Sequence, residues 1–194
     1  MVYAGFWRRA LAQIVDVAVL SPFVFLGMKF LVPTSVAGAI AYYALMGLLV
    51  QCYIVLLHGF CGQTLGKMMA RVRVTRLDAS AIGVREALLR SSVDIVLSIV
   101  VIAGISYTLL NWGSPSWSGL AGSERWRLFR ERNPLEPYAS TAQQVWYWAE
   151  LVVLLFNSKK RALHDFIAGT VVICRKKRPG AADHRPLYRT GNNG

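Results

Sequence analysis

The chain has 194 residues, 55% hydrophobic and only 16% charged, with 22 Lys and Arg against 10 Asp and Glu for a formal net charge of +12. Its mean hydropathy is +0.40. A soluble domain carries about a quarter charged residues, so this balance excludes an ordinary cytosolic domain, a disordered or fibrous chain and a large multi-domain enzyme. Three cysteines, Cys52, Cys61 and Cys174, show no CxxC spacing and exclude a disulfide framework.

Excess positive charge on one folded surface would point to nucleic acid. Here apolar runs of about 20 residues separate the basic clusters, the length needed to cross roughly 30 Å of hydrocarbon. The charge is therefore read as membrane orientation, with the lipid bilayer and not nucleic acid as the partner.

The first apolar segment spans residues 10–32 behind Phe6-Trp7-Arg8-Arg9. As a helix it rises about 34 Å, too long for a signal-peptide core, and it reads as a retained transmembrane helix. Ser21-Pro22 is expected to kink it, and Pro33-Thr34-Ser35 to turn the chain into a second antiparallel segment, residues 35–57. A third segment covers residues 93–110. A fourth, residues 138–156, carries Ser140, Thr141, Gln143 and Gln144 in its first half, which places those side chains at headgroup level. Between the second and third segments, Arg71-Val-Arg-Val-Thr-Arg76 alternates charged and β-branched residues as a half-exposed strand does, and Leu77 to Ser80 supplies a turn. Thr170 to Cys174 is a second β-rich run able to pair with the first. The outer loop, from Asn111 to about Glu136, holds Glu124 to Arg130, where Trp126 and Phe129 share a helical face suited to lying on a bilayer. Residues 179–194 read as a flexible basic tail, leaving residues 1–178 as one membrane domain.

With both termini placed inside, 17 of the 22 Lys and Arg fall on the inner side, as the positive-inside rule requires. Trp7 then marks the inner boundary, while Trp112, Trp117, Trp126, Trp146 and Trp148 lie in or beside the outer loop. The basic tail is expected to touch anionic lipid heads. The expected architecture is an all-α integral membrane protein: a four-helix transmembrane bundle with a small cytoplasmic β-ribbon and an interfacial C-terminal helix.

Charges within the spans are the informative ones, because each costs about 2.5–3.5 kcal/mol at a helix centre unless paired or hydrated. Lys29, near a helix end, can snorkel. Asp16, seven residues past Arg9, lies about 10 Å inward, and Glu150 about 9 Å from the same edge. Asp94 is shallower and stands four residues after Arg90, within pairing reach. These carboxylates serve either as a network that fixes helix packing or as a site that binds or relays a cation; the spacing alone leaves both open. Gly62-Gln-Thr-Leu-Gly66-Lys67 has three residues between its glycines and Met68 after the lysine, so it is not a phosphate loop but a glycine turn leading into the strand. His58 and Cys61 lack a second ligand pair for a metal, and no hydrolase motif is present. No cofactor, metal or enzymatic activity is expected.

Gly5-Phe6-Trp7-Arg8-Arg9 through Asp16, then Gly62 to Lys67 running into Arg71-Val-Arg-Val74, then Ala87-Leu-Leu-Arg90, and finally Leu163-His164-Asp165 through Val172 together resemble the RDD family of small bacterial membrane proteins. The resemblance runs from Tyr3 to Val172. It implies that Arg9, Asp16 and Asp165 are the arginine and two aspartates of the family name, in a multi-spanning protein of the bacterial inner membrane. The family's members include proposed cation/proton antiporters and accessory proteins that act on membrane-bound partners. This chain departs from the family in a longer outer loop, richer in Trp and Arg. Combined with the depth of each charge, the resemblance points to an inner-interface ion pair of Arg9 with Asp165, joined by His164 and Arg90. Asp16, with Glu150 and Asp94, is left as the candidate ion or proton site. Two function classes follow, a small cation transporter, expected to be a homo-oligomer because four helices offer little pathway, and a non-transporting accessory protein with a membrane protein partner.

Overall fold

A computed structural model describes residues 2–30, 35–112 and 119–175, with the backbone alone for Trp112, Trp126, Leu128 and Phe129. The expected turn at Pro33-Thr34, Trp117, the Trp126 and Phe129 side chains and the tail after Arg178 lie outside the described residues. The chain runs α1 (Phe6–Phe30), α2 (Val36–Cys61), α3 (Leu65–Met69), β1 (Val72–Arg76), α4 (Val84–Trp112), α5 (Gly122–Arg132), α6 (Glu136–Phe156), α7 (Leu163–Ile167) and β2 (Thr170–Cys174).

Helix α1 passes through Pro22, which has no N–H for the Ala18 carbonyl one turn back. Ser21 Oγ donates to that carbonyl at 3.2 Å instead, so the polar group is satisfied within the helix. Ser35 caps α2, its side chain accepting from Gly38 N at 2.9 Å. At the other end Gly62 adopts φ +68° and returns its N–H to the His58 carbonyl at 2.9 Å. An L side chain in that conformation costs about 1–2 kcal/mol, and a Cβ on Gly62 would lie 3.1 Å from both Arg73 Nε and the Val74 carbonyl oxygen. Gly62→Ala is therefore expected to destabilise the purified protein by about that amount in thermal unfolding, whereas Gly5→Ala, with nothing within 4 Å of its Cβ, should match the wild type.

Helix α4 starts at Val84, not near Val93. Its first turns carry Arg85, Glu86 and Arg90, whose polarity hides them from a hydropathy reading, and Glu86 Oε2 closes the end by accepting from Gly83 N at 2.8 Å. Three helices, α1, α2 and α4, are long and apolar enough to cross a membrane among the described residues. Helix α6, at 21 residues, rises about 31 Å, but Ser140, Thr141, Gln143 and Gln144 dilute its first half and it is not one of the three. Large apolar side chains such as Phe23, Phe25, Leu48, Leu49 and Ile99 are exposed along the long helices, a surface that matches hydrocarbon rather than water.

Helices α2 and α4 pack most extensively, around Ala39, Tyr42 and Leu109, and Gln51 Nε2 donates to Ser98 Oγ at 3.2 Å between them. Tyr42 ties α2 to α1 by donating to the Val24 carbonyl at 2.6 Å. A second core gathers at one end of the helices. Strands β1 and β2 pair antiparallel, from Val72 opposite Cys174 to Arg76 opposite Thr170. The N-terminal segment lines the ribbon's other edge through Ala4 N to the Val172 carbonyl at 2.9 Å and Cys174 N to the Val2 carbonyl at 2.8 Å. Val72, Val74 and Val172 bury against Ala4, Ala12 and Ala70. These small residues let the ribbon and α3 approach the backbone of α1, which gathers the charged motifs around the foot of that helix.

Candidate functional site

Asp165 lies on α7 with its side chain 0% exposed. Its Oδ2 accepts from Arg9 Nη1 at 2.7 Å and from Ala162 N at 3.0 Å. Its Oδ1 accepts from Arg90 Nη1 and, at 3.3 Å, from Thr170 Oγ1. Four donors from α1, α4, the start of α7 and β2 thus meet on one carboxylate. Burial alone would push this carboxyl up, but the Arg90 and Arg9 guanidiniums outweigh it and hold it well below the usual carboxylate range. Arg9 is anchored further: its Nη2 donates to the Lys160 carbonyl and its Nε to the Ala4 carbonyl at 3.3 Å. Arg161 adds a brace across α7, with Nη2 on the Asp165 carbonyl at 2.9 Å, Nε on the Thr170 carbonyl at 3.0 Å and its guanidinium 4.0 Å from the centre of the Phe166 ring.

The i,i+4 spacing of Arg90 and Asp94 does not become an ion pair. Arg90 turns to Asp165, Thr170 and His164, because a fully buried carboxylate is the stronger attractor for a guanidinium only 7% exposed. Its Nη2 sits 2.6 Å from His164 Nε2. A guanidinium has only donors, so Nε2 accepts and the His164 proton resides on Nδ1, which donates to Glu150 Oε1. Burial first and Arg90 second hold the imidazole below its usual range, against the pull of Glu150 and Asp165. Glu150 on α6 is thereby tied to α7, while Asp94 on α4 lies near Glu150 and Trp146 of α6. Lys29, read as a snorkelling residue, places its Nζ 5.7 Å from the centre of the Phe30 ring.

Asp16, a candidate ion or proton site, is fully engaged by donors of the chain. Its Oδ1 accepts from Tyr53 Oη at 2.7 Å and Gly66 N at 2.8 Å, and its Oδ2 from Thr64 Oγ1 at 2.6 Å. The glycine turn after α2 is the reason. Thr64 caps α3, which brings the α3 N-terminus onto the side of α1 where Asp16 stands. Asp16 thereby fastens α3 to α1.

Sequence reasoning passed over Tyr53, weighed Thr64 and Lys67 only as parts of a glycine turn, and weighed His58 only as a metal ligand. The signal for two of them was present in Thr64-Leu-Gly66-Lys67, an N-cap followed by a helix too short for periodicity to register. His58, 3% exposed, donates from Nδ1 to the Ile54 carbonyl at 2.8 Å and turns its Nε2 lone pair to Lys67 Nζ. Among the described residues no three His, Cys, Asp or Glu side chains converge as metal ligands do.

Residues 3–169 match the family model described as the RDD family. The comparison with curated proteins found no match, and neither did that with solved structures. The match takes in α1 with Arg9 and Asp16, the glycine turn, α4 with Arg90 and α7 with Asp165, so the chain belongs to the RDD family and is a multi-pass membrane protein.

Proposed function

We propose that this protein exchanges a cation for protons across the bacterial inner membrane, with Asp94 and Glu150 as the cation-binding pair. The observation that carries the reading is that Asp94 on α4 feels the charge of Glu150 on α6 while Arg90, its guanidinium neighbour, is committed to Asp165 and Glu150 Oε1 accepts from His164. Two carboxylates within one layer of a bundle repel unless a proton or a cation lies between them. In this reading α6 is a fourth span, both termini are cytoplasmic, and the ribbon, α3 and α7 form a cytoplasmic foot. The charge distribution supports that orientation, with 17 of 22 Lys and Arg on the inner side. Four helices leave little room for a closed path, so a homo-oligomer is the working form, its basic tail resting on anionic lipid heads. No chemical step on a substrate belongs to this reading.

The test is flux into liposomes that contain the purified protein and a pH-sensitive dye. An imposed sodium or potassium gradient should change the internal pH with wild type, and Glu150→Gln and Asp94→Asn should each reduce the rate at least about tenfold, as loss of a group that binds the ion directly does. A pH change unaffected by either substitution overturns the assignment of the pair. Absence of flux with any cation favours the second reading, a non-transporting accessory protein acting on a membrane partner. That reading draws support from Asp16 and Asp165, both fully engaged by internal donors, as in a scaffold.

A further inference from the structure

Lys67 follows the glycine turn and is partly buried. Its Nζ meets His58 Nε2, whose lone pair is directed outward because Nδ1–H is spent on the Ile54 carbonyl. Its charged neighbours come from three elements: Arg9 and Asp16 from α1, Arg90 from α4 and Asp165 from α7. His164 contacts Arg90 Nη2. Neither nearby carboxylate serves Lys67: Asp165 is held by Arg9 and Arg90, and Asp16 by Tyr53, Thr64 and the α3 N-terminus. Among the described residues no carboxylate oxygen is paired with Nζ within 4.0 Å. The ammonium thus faces two guanidiniums with only an imidazole lone pair to receive it. Burial first, and Arg90 next, hold it well below the usual lysine range. Of the three cations gathered here, lysine alone can shed its charge, since guanidinium stays protonated at any physiological pH.

We infer that Lys67, hydrogen-bonded to His58, is the proton-carrying group of the exchange. This rests on the exchange reading above. When a cation enters between Asp94 and Glu150, Lys67 Nζ passes one proton to cytoplasmic water and becomes a neutral amine. When the cation leaves toward the outer side, the amine takes a proton back from that side, so one positive charge replaces another and a proton crosses the membrane against the cation. Arg90 is an electrostatic neighbour of both Lys67 and Asp94 and links the two sites. The basic face of His58 keeps one N–H of the amine engaged in either state.

The experiment reads the proton directly and needs no flux. Protein carrying 13C at the lysine side-chain Cε is titrated in micelles, and its six lysines are followed by NMR. Lys67→Arg, or Lys67→Met should the arginine variant not fold, identifies the resonance. We expect one Cε signal, missing from the variant, to lose its proton at a clearly lower pH than the other lysines, and sodium or potassium to lower it further in wild type but not in Glu150→Gln. A Lys67 signal that titrates with the other lysines overturns the site. One that titrates apart but ignores both cations overturns its coupling to the exchange. Flux measured on the same preparations separates these failures from failure of transport itself.

Discussion

Asp165→Asn is expected to lower the unfolding free energy of the detergent-purified protein by about 3–5 kcal/mol, the cost of removing one partner from a buried ion pair and leaving the others uncompensated. The substitution keeps the shape but leaves Arg9 and Arg90 facing each other without the charge that holds them, and replaces acceptor capacity by an amide that donates. Thermal unfolding followed by circular dichroism checks it. A change under about 1 kcal/mol would assign the contact to the weak class of exposed ion pairs. The same group sets an acid limit. Its folded-state proton affinity is depressed, so its contribution is complete above the unfolded carboxyl range, about pH 4, and is lost as pH falls below that range toward the folded value. Wild type should therefore lose stability with acidification below about pH 4, and Asp165→Asn should lose less over that interval.

Gly66→Ala is expected to cost about 3 kcal/mol or more, combining overpacking with the loss of charge-assisted hydrogen bonds. A Cβ there would lie 2.0 Å from the Ala12 carbonyl oxygen and 2.9 Å from Asp16 Cγ. The obstacle is helix backbone and cannot swing aside, so α3 must lift from α1. Lifting it parts Asp16 from Thr64 and from Gly66 N together. Asp16→Ala removes the same anchor from the other side and leaves Tyr53, Thr64 and the α3 N-terminus without their acceptor. The two substitutions act on one docking, so the double variant should be destabilised by clearly less than the sum of the singles in thermal unfolding. Additive losses would mean that Asp16 and Gly66 contribute separately.

The long elements could be seen in the residues because membrane helices announce themselves one segment at a time. A run of apolar residues of sufficient length suffices, and α1 and α2 emerge close to where the runs lie. The strands emerged too, since alternation in Arg71 to Arg76 and the β-branched run after Gly169 are local signals, and their pairing joins Val72 to Cys174. The first turns of α4 escaped because Arg85, Glu86 and Arg90 lie among apolar neighbours in a polar, foot-facing stretch. Five-residue helices such as α3 and α7 lie below the length at which periodicity can register.

Composition, charge asymmetry and the three family residues settled that this is a basic, multi-pass membrane protein. Those properties are sums or local patterns along a chain. Which charge meets which was decided only by the folded arrangement. Arg90 had a carboxylate one helical turn away in Asp94 and went instead to Asp165, 75 positions distant. Asp16 had the look of an unclaimed intramembrane carboxylate and is instead the acceptor that fastens the Thr64 cap and Gly66 of α3 to α1. In a low-dielectric interior each charge takes the partner that is most buried and best aligned, and burial and alignment belong to the packing of α1, α3, α4 and α7, not to any one segment. The scarcity of acids, visible in the +12 net charge, is what makes that choice consequential: with Asp165 and Asp16 claimed, Lys67 is left to an imidazole.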